Sequence, residues 1–220
     1  YLAARLSNPD YVNVFLGRLN QVVIENNMGG GELVGEKVTL ATQEALHNVR
    51  NKYSEIGTKL IGASIRSGEQ IAFLAGLDVL TIPPAAMEQF LKMEHTVSMD
   101  SHLGKDIQPG IDLSHPHAMR FSKLWEIPDS FIRFVDDLLE KTELDCMLGD
   151  ELELICNEQG LDLFYPFSKS ELKKILDQGK IPSLQDWPEE VALDDLMTQS
   201  ALQSFSKDQG ALDDRIRSFL

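Results

Sequence analysis

Apolar and polar residues succeed one another along the first 93 positions in blocks that predict strands and helices in turn. Short runs of apolar and β-branched residues are typical of buried parallel strands. Three such runs occur, at Tyr11–Leu16, Thr58–Ser64 and Asp78–Ile82. A preceding segment, Tyr1–Leu6, has the pattern of the last turns of a helix, so we expect chain to precede Tyr1.

Helical spacing of apolar residues follows each predicted strand. Thr39 or Thr42 is the expected cap of the first of these helices, and Gly57 is its expected stop. The glycines of Met28–Gly31 predict a flexible loop before it. The helices predicted in this way are 39–53, 68–75 and 85–93. Alternating strands and helices indicate a parallel sheet with right-handed crossovers, either a barrel or a doubly wound sheet.

The pattern changes after residue 93. Glu94–Pro116 is rich in His, Asp, Ser and Gly without a clear period, which predicts a long loop. From Pro128 onward helical spacing dominates. Val191–Leu220 predicts one long helix or two, with Gly210 as the candidate break. This part of the chain is expected to be mostly α-helical.

One further helix in this region carries its own start and stop signals. It is predicted over Ser170–Leu176, with Ser168 or Ser170 as its cap and Gly179 as its end.

Composition limits the classes of partner. A chain of 220 residues with 43% hydrophobic and 25% charged positions is expected to form a soluble globular protein. Its formal net charge of −15, without a local cluster of Lys and Arg, disfavours nucleic acid and membrane surfaces as partners. No secretory signal or membrane-length apolar stretch stands out, so the cytoplasm is the default location.

The cysteine and histidine residues do not have the spacing expected of a metal site or a disulfide framework. Cys146 and Cys156 lack a second pair of ligands at metal spacing, which favours free thiols in a reducing compartment. His115 and His117 flank a rigid proline in a loop, and this context favours a solvated or capping role over a metal site. We expect no metal and no cofactor.

Three strings lie where parallel strands end, the usual place of chemistry in βα units. Phe15-Leu16-Gly17-Arg18 combines a glycine that permits a tight exit from the strand with an arginine suited to phosphate. Gly62-Ala63-Ser64-Ile65-Arg66 adds a hydroxyl donor and a second charge. Leu80-Thr81-Ile82-Pro83-Pro84 leads into a helix. Two arginines that follow adjacent strands could hold one phosphate together with helix N-terminal amides.

These strings resemble those of class I transaldolases. That family carries Ser-Pro-Phe-Val-Gly-Arg, Gly-Ala-Ser-Phe-Arg and Leu-Thr-Ile-Ser-Pro type strings, in this order, on the last three strands of its barrel. The resemblance covers Tyr11–Leu91 well and Ala201–Leu220 less closely. It implies an α/β fold in which this chain is the C-terminal part of a transaldolase-like (β/α)8 TIM barrel followed by a mostly helical segment. The implied domains are the last three βα units (1–93), a long loop with an acidic helical insertion (94–190), and a C-terminal helix packing over the barrel (191–220).

The resemblance also implies a function. Transaldolases of the pentose phosphate pathway transfer a dihydroxyacetone unit between sugar phosphates through a lysine Schiff base, without cofactor or metal. Arg18, Ser64 and Arg66 would bind the substrate phosphate, while Asn13 and Phe15 would line the pocket near the reacting carbons. The expected partners are a sugar-phosphate substrate, the preceding N-terminal part of the same protein and, for the assembled enzyme, a second copy in a homodimer.

Departures from the family pattern leave other readings open. Asn13 and Val14 replace the serine and proline of the family string, and the strands that carry the Schiff-base lysine and its carboxylates are not in this sequence. Lys59 opens a strand, and Lys37, Lys92 and Lys105 are interpreted as solvated surface charges, so no catalytic residue is assigned. The alternatives are a non-catalytic sugar-phosphate-binding or interaction protein and a fructose 6-phosphate aldolase. Phe15 favours transfer over release, because a ring without a hydroxyl cannot hold a water at the imine carbon.

Overall fold

A computed structural model describes residues 1–93, 97–140 and 144–219. Glu94 and Leu220, where two of the predicted segments begin or end, lie outside the described residues. The first elements are α1 (Leu2–Ser7), β1 (Tyr11–Phe15), α2 (Leu16–Glu25), α3 (Val34–Lys52), β2 (Lys59–Ala63), α4 (Gly68–Phe73), β3 (Val79–Leu80) and α5 (Pro84–Lys92). The later helices are α6 (Met119–Ser122), α7 (Asp129–Leu139), α8 (Gly149–Glu158), α9 (Lys169–Gln178) and α10 (Leu193–Arg217), with short 3-10 turns at Leu144–Cys146 and Leu184–Asp186.

The chain forms two compact units. The first, which we call the sheet unit, comprises Tyr1–Ala118 and Trp125–Leu144. The second, the helical unit, comprises Met119–Leu124 and Asp145–Leu220. None of the described helices combines the length and the apolar character needed to span a bilayer. The domain boundaries expected at 93 and 190 stay predictions.

The three strands pair in the order β1-β2-β3, and both pairs are parallel. Tyr11 is in register with Lys59 and Phe15 with Ala63, so the carboxyl ends of β1 and β2 lie side by side. The predicted α/β class with a parallel sheet is confirmed. Because the described strands number only three, the eight-stranded barrel stays a prediction.

Helices cover one face of this sheet. Val12, Val14 and Leu60 pack with Ala4 of α1 and Leu46 of α3 in one apolar cluster. A second cluster gathers α2, α3, α4 and α5 around the strand ends, through Leu16, Leu40, Ile65, Ile71, Leu74 and Ala86. Alternation along β1 directs Tyr11, Asn13 and Phe15 to the opposite face, where Tyr11 is 51% exposed.

The helix α2 corrects one sequence prediction. Leu16 was expected to end the strand and Gly17 to form its exit, but α2 begins at Leu16. Leu16, Leu19, Val22 and Val23 recur at helical spacing, and all four are buried. Arg18 therefore lies in the first turn of a helix and not in a loop.

The start of α3 was also predicted wrongly. The helix begins at Val34, five residues before the expected cap Thr39. The hydroxyls of Thr39 and Thr42 donate to Gly35 O and Val38 O inside the helix, at 2.7 and 2.8 Å. Both threonines thus bond back to the preceding turn, which is the alternative to capping that their hydroxyls allow. The helix ends at Lys52, before the predicted stop.

The glycine loop at Met28–Gly31 is held by non-local bonds. Gly31 N–H donates to Gly110 O at 2.8 Å, and Gly110 N–H donates to Glu32 O at 2.7 Å. Met28 is fully buried, and its carbonyl accepts a bond from Asp112 N–H. The long segment around Gly110 thus pairs with this loop, and the flexibility of the loop stays a prediction. The described residues of that segment up to Pro116 form no helix or strand, as predicted.

The helical unit follows its predictions closely. Ser168 caps α9, its hydroxyl accepting from Glu171 N–H while the Glu171 carboxylate accepts from Ser168 N–H. Gly179 ends that helix with a φ of 80°. The last helix, α10, continues through Gly210 without a break. Its first half is its buried half, and Ser200 donates to Gly179 O at 2.6 Å, which ties α10 to the end of α9.

Candidate functional site

The candidate site lies where β1 and β2 end. Phe15 and Ala63 are the last residues of these strands and are in register. A buried apolar residue follows each strand, Leu16 directly after β1 and Ile65 two positions after the end of β2. Since these anchors hold the chain at the strand ends, Arg18 and Arg66 leave the sheet at the same edge.

Gly17 joins the two strings. A Cβ atom on Gly17 would lie 2.3 Å from Ser64 O, 2.7 Å from Arg66 Nε and 3.0 Å from Ser64 Oγ. Only a residue without a side chain permits this approach, because the nearest atom is a backbone carbonyl oxygen that cannot move independently. The glycine therefore brings the Phe15–Arg18 string directly against the Ser64–Arg66 turn.

Ser64 has an unusual backbone. Its φ of 66° lies in the left-handed region, which residues with a side chain seldom adopt. Strain of this kind costs about 1–2 kcal/mol and is concentrated at ligand sites. The conformation turns the chain sharply at the end of β2, with the Ser64 hydroxyl beside Gly17.

The charge of Arg66 acts on Arg18. Burial lowers the pKa of Arg18, and the positive charge of Arg66 lowers it further. Two guanidinium groups that repel at one edge would be stabilised by an anion between them. The Arg18 guanidinium also lies 5.0 Å from the centre of the Phe15 ring, which fixes it by a cation–π contact.

Arg66 is exposed and is held from two sides. Its Nη1 donates to Gln21 Oε1 on α2 at 3.2 Å, and its backbone N–H donates to Gln70 Oε1 on α4 at 2.7 Å. The sequence patterns predicted a site role for neither glutamine. Gln21 follows Arg18 by three positions, so recognition of α2 as a helix would have placed the two on one face.

The structure thus brings together Arg18, Ser64 and Arg66, while Asn13 and Phe15 line the adjoining strand. Asn13 is exposed, is in register with Ile61, and lies two positions further from the sheet edge than Phe15. Both point to the face opposite the apolar cluster of Val12 and Val14. The roles assigned to these five residues stay predictions.

The third string completes the edge. Thr81 N–H donates to Gly62 O at 2.9 Å, so the chain after β3 stays attached to β2. Pro84 occupies the first turn of α5, as predicted. A Cβ atom on Gly68 would lie 2.5 Å from Phe90 N, which shows how closely α4 and α5 approach each other.

Lysines were considered as imine-forming nucleophiles. Lys59 opens β2, and among the described lysines none lies at the carboxyl end of a strand. Lys37 differs from its prediction as a solvated charge: its side chain is 22% exposed, and Nζ donates to Ile107 O at 2.8 Å. In the described parts of the chain no three His, Cys, Asp or Glu side chains converge as metal ligands.

Several known proteins are similar to this chain in sequence. The family model for transaldolase/fructose-6-phosphate aldolase matches residues 1–126. A probable transaldolase of Parvibaculum lavamentivorans is 32% identical over 89 residues, which are 40% of this chain and 35% of that protein. The transaldolase of Chlamydia trachomatis is 30% identical over 117 residues, 51% of this chain and 35% of that protein. The transaldolase of Prochlorococcus marinus is 33% identical over 97 residues, which are 40% of this chain and 29% of that protein.

The fold places the chain in the α/β class, with a parallel sheet and two arginines that follow the carboxyl ends of its strands. Within that class, the chain belongs to the transaldolase/fructose-6-phosphate aldolase family, because the family match spans more than half of it. The resemblance found in the three strings is thereby confirmed. The matched parts span about a third of the length of these curated relatives. No solved structure is significantly similar.

Proposed function

We propose that this chain supplies the phosphate-binding part of a transaldolase. The enzyme would move a dihydroxyacetone unit between sugar phosphates through a lysine Schiff base, as a cytoplasmic enzyme of the pentose phosphate pathway. The observation that carries the proposal is the shared edge of β1 and β2, where Gly17, the neighbour of Arg18, approaches Ser64 and Arg66 so closely that a Cβ atom would lie 2.7 Å from Arg66 Nε.

A phosphate dianion fits this edge chemically. Guanidinium groups bind phosphate through paired N–H donors, and the Ser64 hydroxyl offers one more donor. The formal charge of the whole chain is −15, so a site with two positive charges would stand out in an otherwise repulsive surface. The phosphate group would serve as the remote handle by which the sugar is oriented.

The proposal assigns the chemistry to residues outside these 220. The described lysines do not end strands, and the family reaction requires a lysine desolvated near carboxylates. A parallel sheet is normally covered on both faces, whereas the face that carries Tyr11, Asn13 and Phe15 is in part exposed. Further strands of a TIM barrel would pair with this sheet, close over that face and bring the lysine to the sugar.

Transfer is preferred over release because of Phe15. The family description includes both transaldolases and fructose 6-phosphate aldolases. Release needs a water at the imine carbon, and Phe15 offers no hydroxyl to hold one. Its ring is instead engaged with the Arg18 guanidinium at 5.0 Å.

The test is Arg66→Ala in the protein at its natural length. A charge-assisted bond to phosphate contributes about 1.5–3 kcal/mol, and its loss from a non-reacting group should appear mainly in KM. We expect a KM for fructose 6-phosphate raised about 10- to 100-fold with a smaller fall in kcat. Arg133→Ala, at an exposed position of α7, is the matched control.

Borohydride trapping of the imine at saturating substrate separates binding from chemistry. Normal trapping of the Arg66→Ala variant at high fructose 6-phosphate supports a phosphate role. A variant that binds fructose 6-phosphate normally and cannot be trapped would show that Arg66 serves the chemistry, and the assignment would then be abandoned.

A further inference from the structure

A buried carboxylate lies behind the candidate site. Glu36, in the first turn of α3, is only 3% exposed. Its two oxygens accept from two side-chain amides, Asn20 Nδ2 at 3.0 Å and Gln70 Nε2 at 2.6 Å. A buried carboxylate is costly unless it is satisfied in this way, so its position calls for a reason.

Each of these side-chain amides also accepts a hydrogen bond from a backbone N–H group. Gln70 Oε1 accepts from the Arg66 N–H at 2.7 Å, and Asn20 Oδ1 accepts from the Gly35 N–H at 2.6 Å. An amide has one end that donates and one that accepts. Because Glu36 can only accept from them, it fixes which end of each amide faces the backbone.

Both backbone groups belong to the candidate site or support it directly. Arg66 ends the turn that carries the two phosphate donors. A Cβ atom on Gly35 would lie 2.1 Å from Leu16 O, so α3 begins in direct contact with the end of β1. The carboxylate thus links the exits of β1 and β2 through one amide each.

We infer that Glu36 is a positioning residue for phosphate binding, which acts by orienting Gln70 against the Arg66 backbone and Asn20 against Gly35. The inference rests on the proposed function, since it concerns the same phosphate site. Glu36 touches no substrate, and its effect is on the direction in which the Ser64–Arg66 turn presents its donors.

Glu36→Gln tests this mechanism with almost no change of volume. The new side chain has one donor end, which would face either Asn20 Nδ2 or Gln70 Nε2. One of these amides must then flip or lose its partner. A flip of Gln70 removes the acceptor of the Arg66 N–H, and a flip of Asn20 removes that of the Gly35 N–H.

Two measurements on the protein at its natural length report the result. Amide hydrogen exchange at Arg66 and Gly35 reads the backbone bonds directly, and titration with fructose 6-phosphate reads the site. In Glu36→Gln we expect exchange at one or both amides to rise and affinity to fall about tenfold, the equivalent of one hydrogen bond to a charged group. Glu44→Gln makes the same change at an exposed position of α3 and should alter neither.

Gln70→Met provides a second, independent variant. It keeps the length of the side chain and removes both polar atoms, the Oε1 acceptor of the Arg66 N–H and the Nε2 donor to Glu36. Because Asn20 keeps its own bonds to Glu36 and Gly35, exchange should rise at Arg66 and stay unchanged at Gly35, again with weaker binding. If Glu36→Gln does not fold, Gln70→Met alone tests the positioning role. Unchanged affinity in the face of faster exchange at Arg66 would overturn the inference.

Arg66→Ala distinguishes a failure of this inference from a failure of the proposed function. If Arg66→Ala weakens fructose 6-phosphate binding while Gln70→Met and Glu36→Gln do not, the site stands and the positioning role falls. If Arg66→Ala leaves binding unchanged, the phosphate site itself is wrong, and the inference falls with it.

Discussion

Glycines play opposite parts in the two units. In the sheet unit, a Cβ atom on Gly17, Gly35 or Gly68 would lie 2.1–2.5 Å from a backbone atom of another segment. In the helical unit, a Cβ atom would meet nothing within 4 Å among the described residues at any of four glycines: Gly149, Gly160, Gly179 and Gly210. Close approach of a glycine to a neighbouring backbone thus occurs at these three positions of the sheet unit and at none of the four glycines of the helical unit.

Burial shows the same contrast. Nine of the nineteen residues of α3 are buried, whereas α9 buries only Ile175 among its ten. The family match covers residues 1–126 and leaves α7 to α10 outside it. A glycine on which a Cβ atom would lie about 2 Å from a neighbouring backbone tolerates few replacements, while exposed helix positions tolerate many. The family match therefore lies largely within the sheet unit and leaves out most of the helical unit.

The largest effect is expected from Gly17→Ala. The added methyl group would meet the Ser64 carbonyl at 2.3 Å, and relief requires movement of either β1 or the Ser64 turn. Overpacking of this kind costs about 2–3 kcal/mol. We expect urea unfolding to show this loss, and fructose 6-phosphate binding to weaken as well. A variant with unchanged stability and binding would mean that the two strings are further apart than described.

A smaller effect is expected at the other end of the sheet. Burial alone would raise the pKa of Asp78, but bonds from Leu60 N–H, Gln43 and Arg50 outweigh it and lower the pKa below its ordinary value. The side chain is 20% exposed. Asp78→Asn should reduce the unfolding free energy at pH 7 by about 1.5–2 kcal/mol.

The difference in unfolding free energy between wild type and Asp78→Asn should depend on pH. A carboxylate with a lowered folded pKa stabilises the native state above its unfolded pKa of about 3.9, and this contribution is lost as the pH falls through the folded value. The gap between wild type and Asp78→Asn should therefore be constant near neutrality and close below about pH 4. A gap that persists unchanged at lower pH would show that packing, and not charge, is responsible.

The smallest expected effect is a gain in folding stability and not a loss. Gly210 lies inside α10 with open space around it, so Gly210→Ala should stabilise the helix by about 0.5–1 kcal/mol. The measurement is the same urea titration as for Gly17→Ala. Since both glycines are helical, opposite signs for one substitution sharpen the comparison, and a loss of stability at Gly210 would break it.

Local signals predicted the fold well and distant pairings poorly. The three strands and the cap of α9 by Ser168 depend on residues within a few positions of one another, and all were recognised. The bonds of the glycine loop to Gly110 could not be predicted, because Gly110 lies some 79 positions away from Gly31. The start of α3 was misplaced because Thr39 is an ordinary cap by residue type, and only the structure shows its hydroxyl turned to Gly35 O.

The candidate site was predictable to the same extent. Arg18, Ser64 and Arg66 could be picked out because each follows a recognisable strand. Gln70 and Glu36 could not, since nothing in a glutamine or a glutamate in a helix reveals a buried partner on another helix. The reason for Gly17 also emerged only in the structure, where it serves close approach and not a turn.

The bond between Gln21 and Arg66 bears on how an anion would enter. Gln21 Oε1 accepts from Arg66 at 3.2 Å, while its own amide nitrogen donates to Glu25 at 2.9 Å. A carboxylate in place of that oxygen would be a competing counter-ion, and an incoming phosphate would have to displace it. A neutral amide is a weaker competitor, because it contributes about half the strength of a charged bond. When Arg66 leaves Gln21 for the phosphate, Gln21 keeps its hydrogen bond to Glu25.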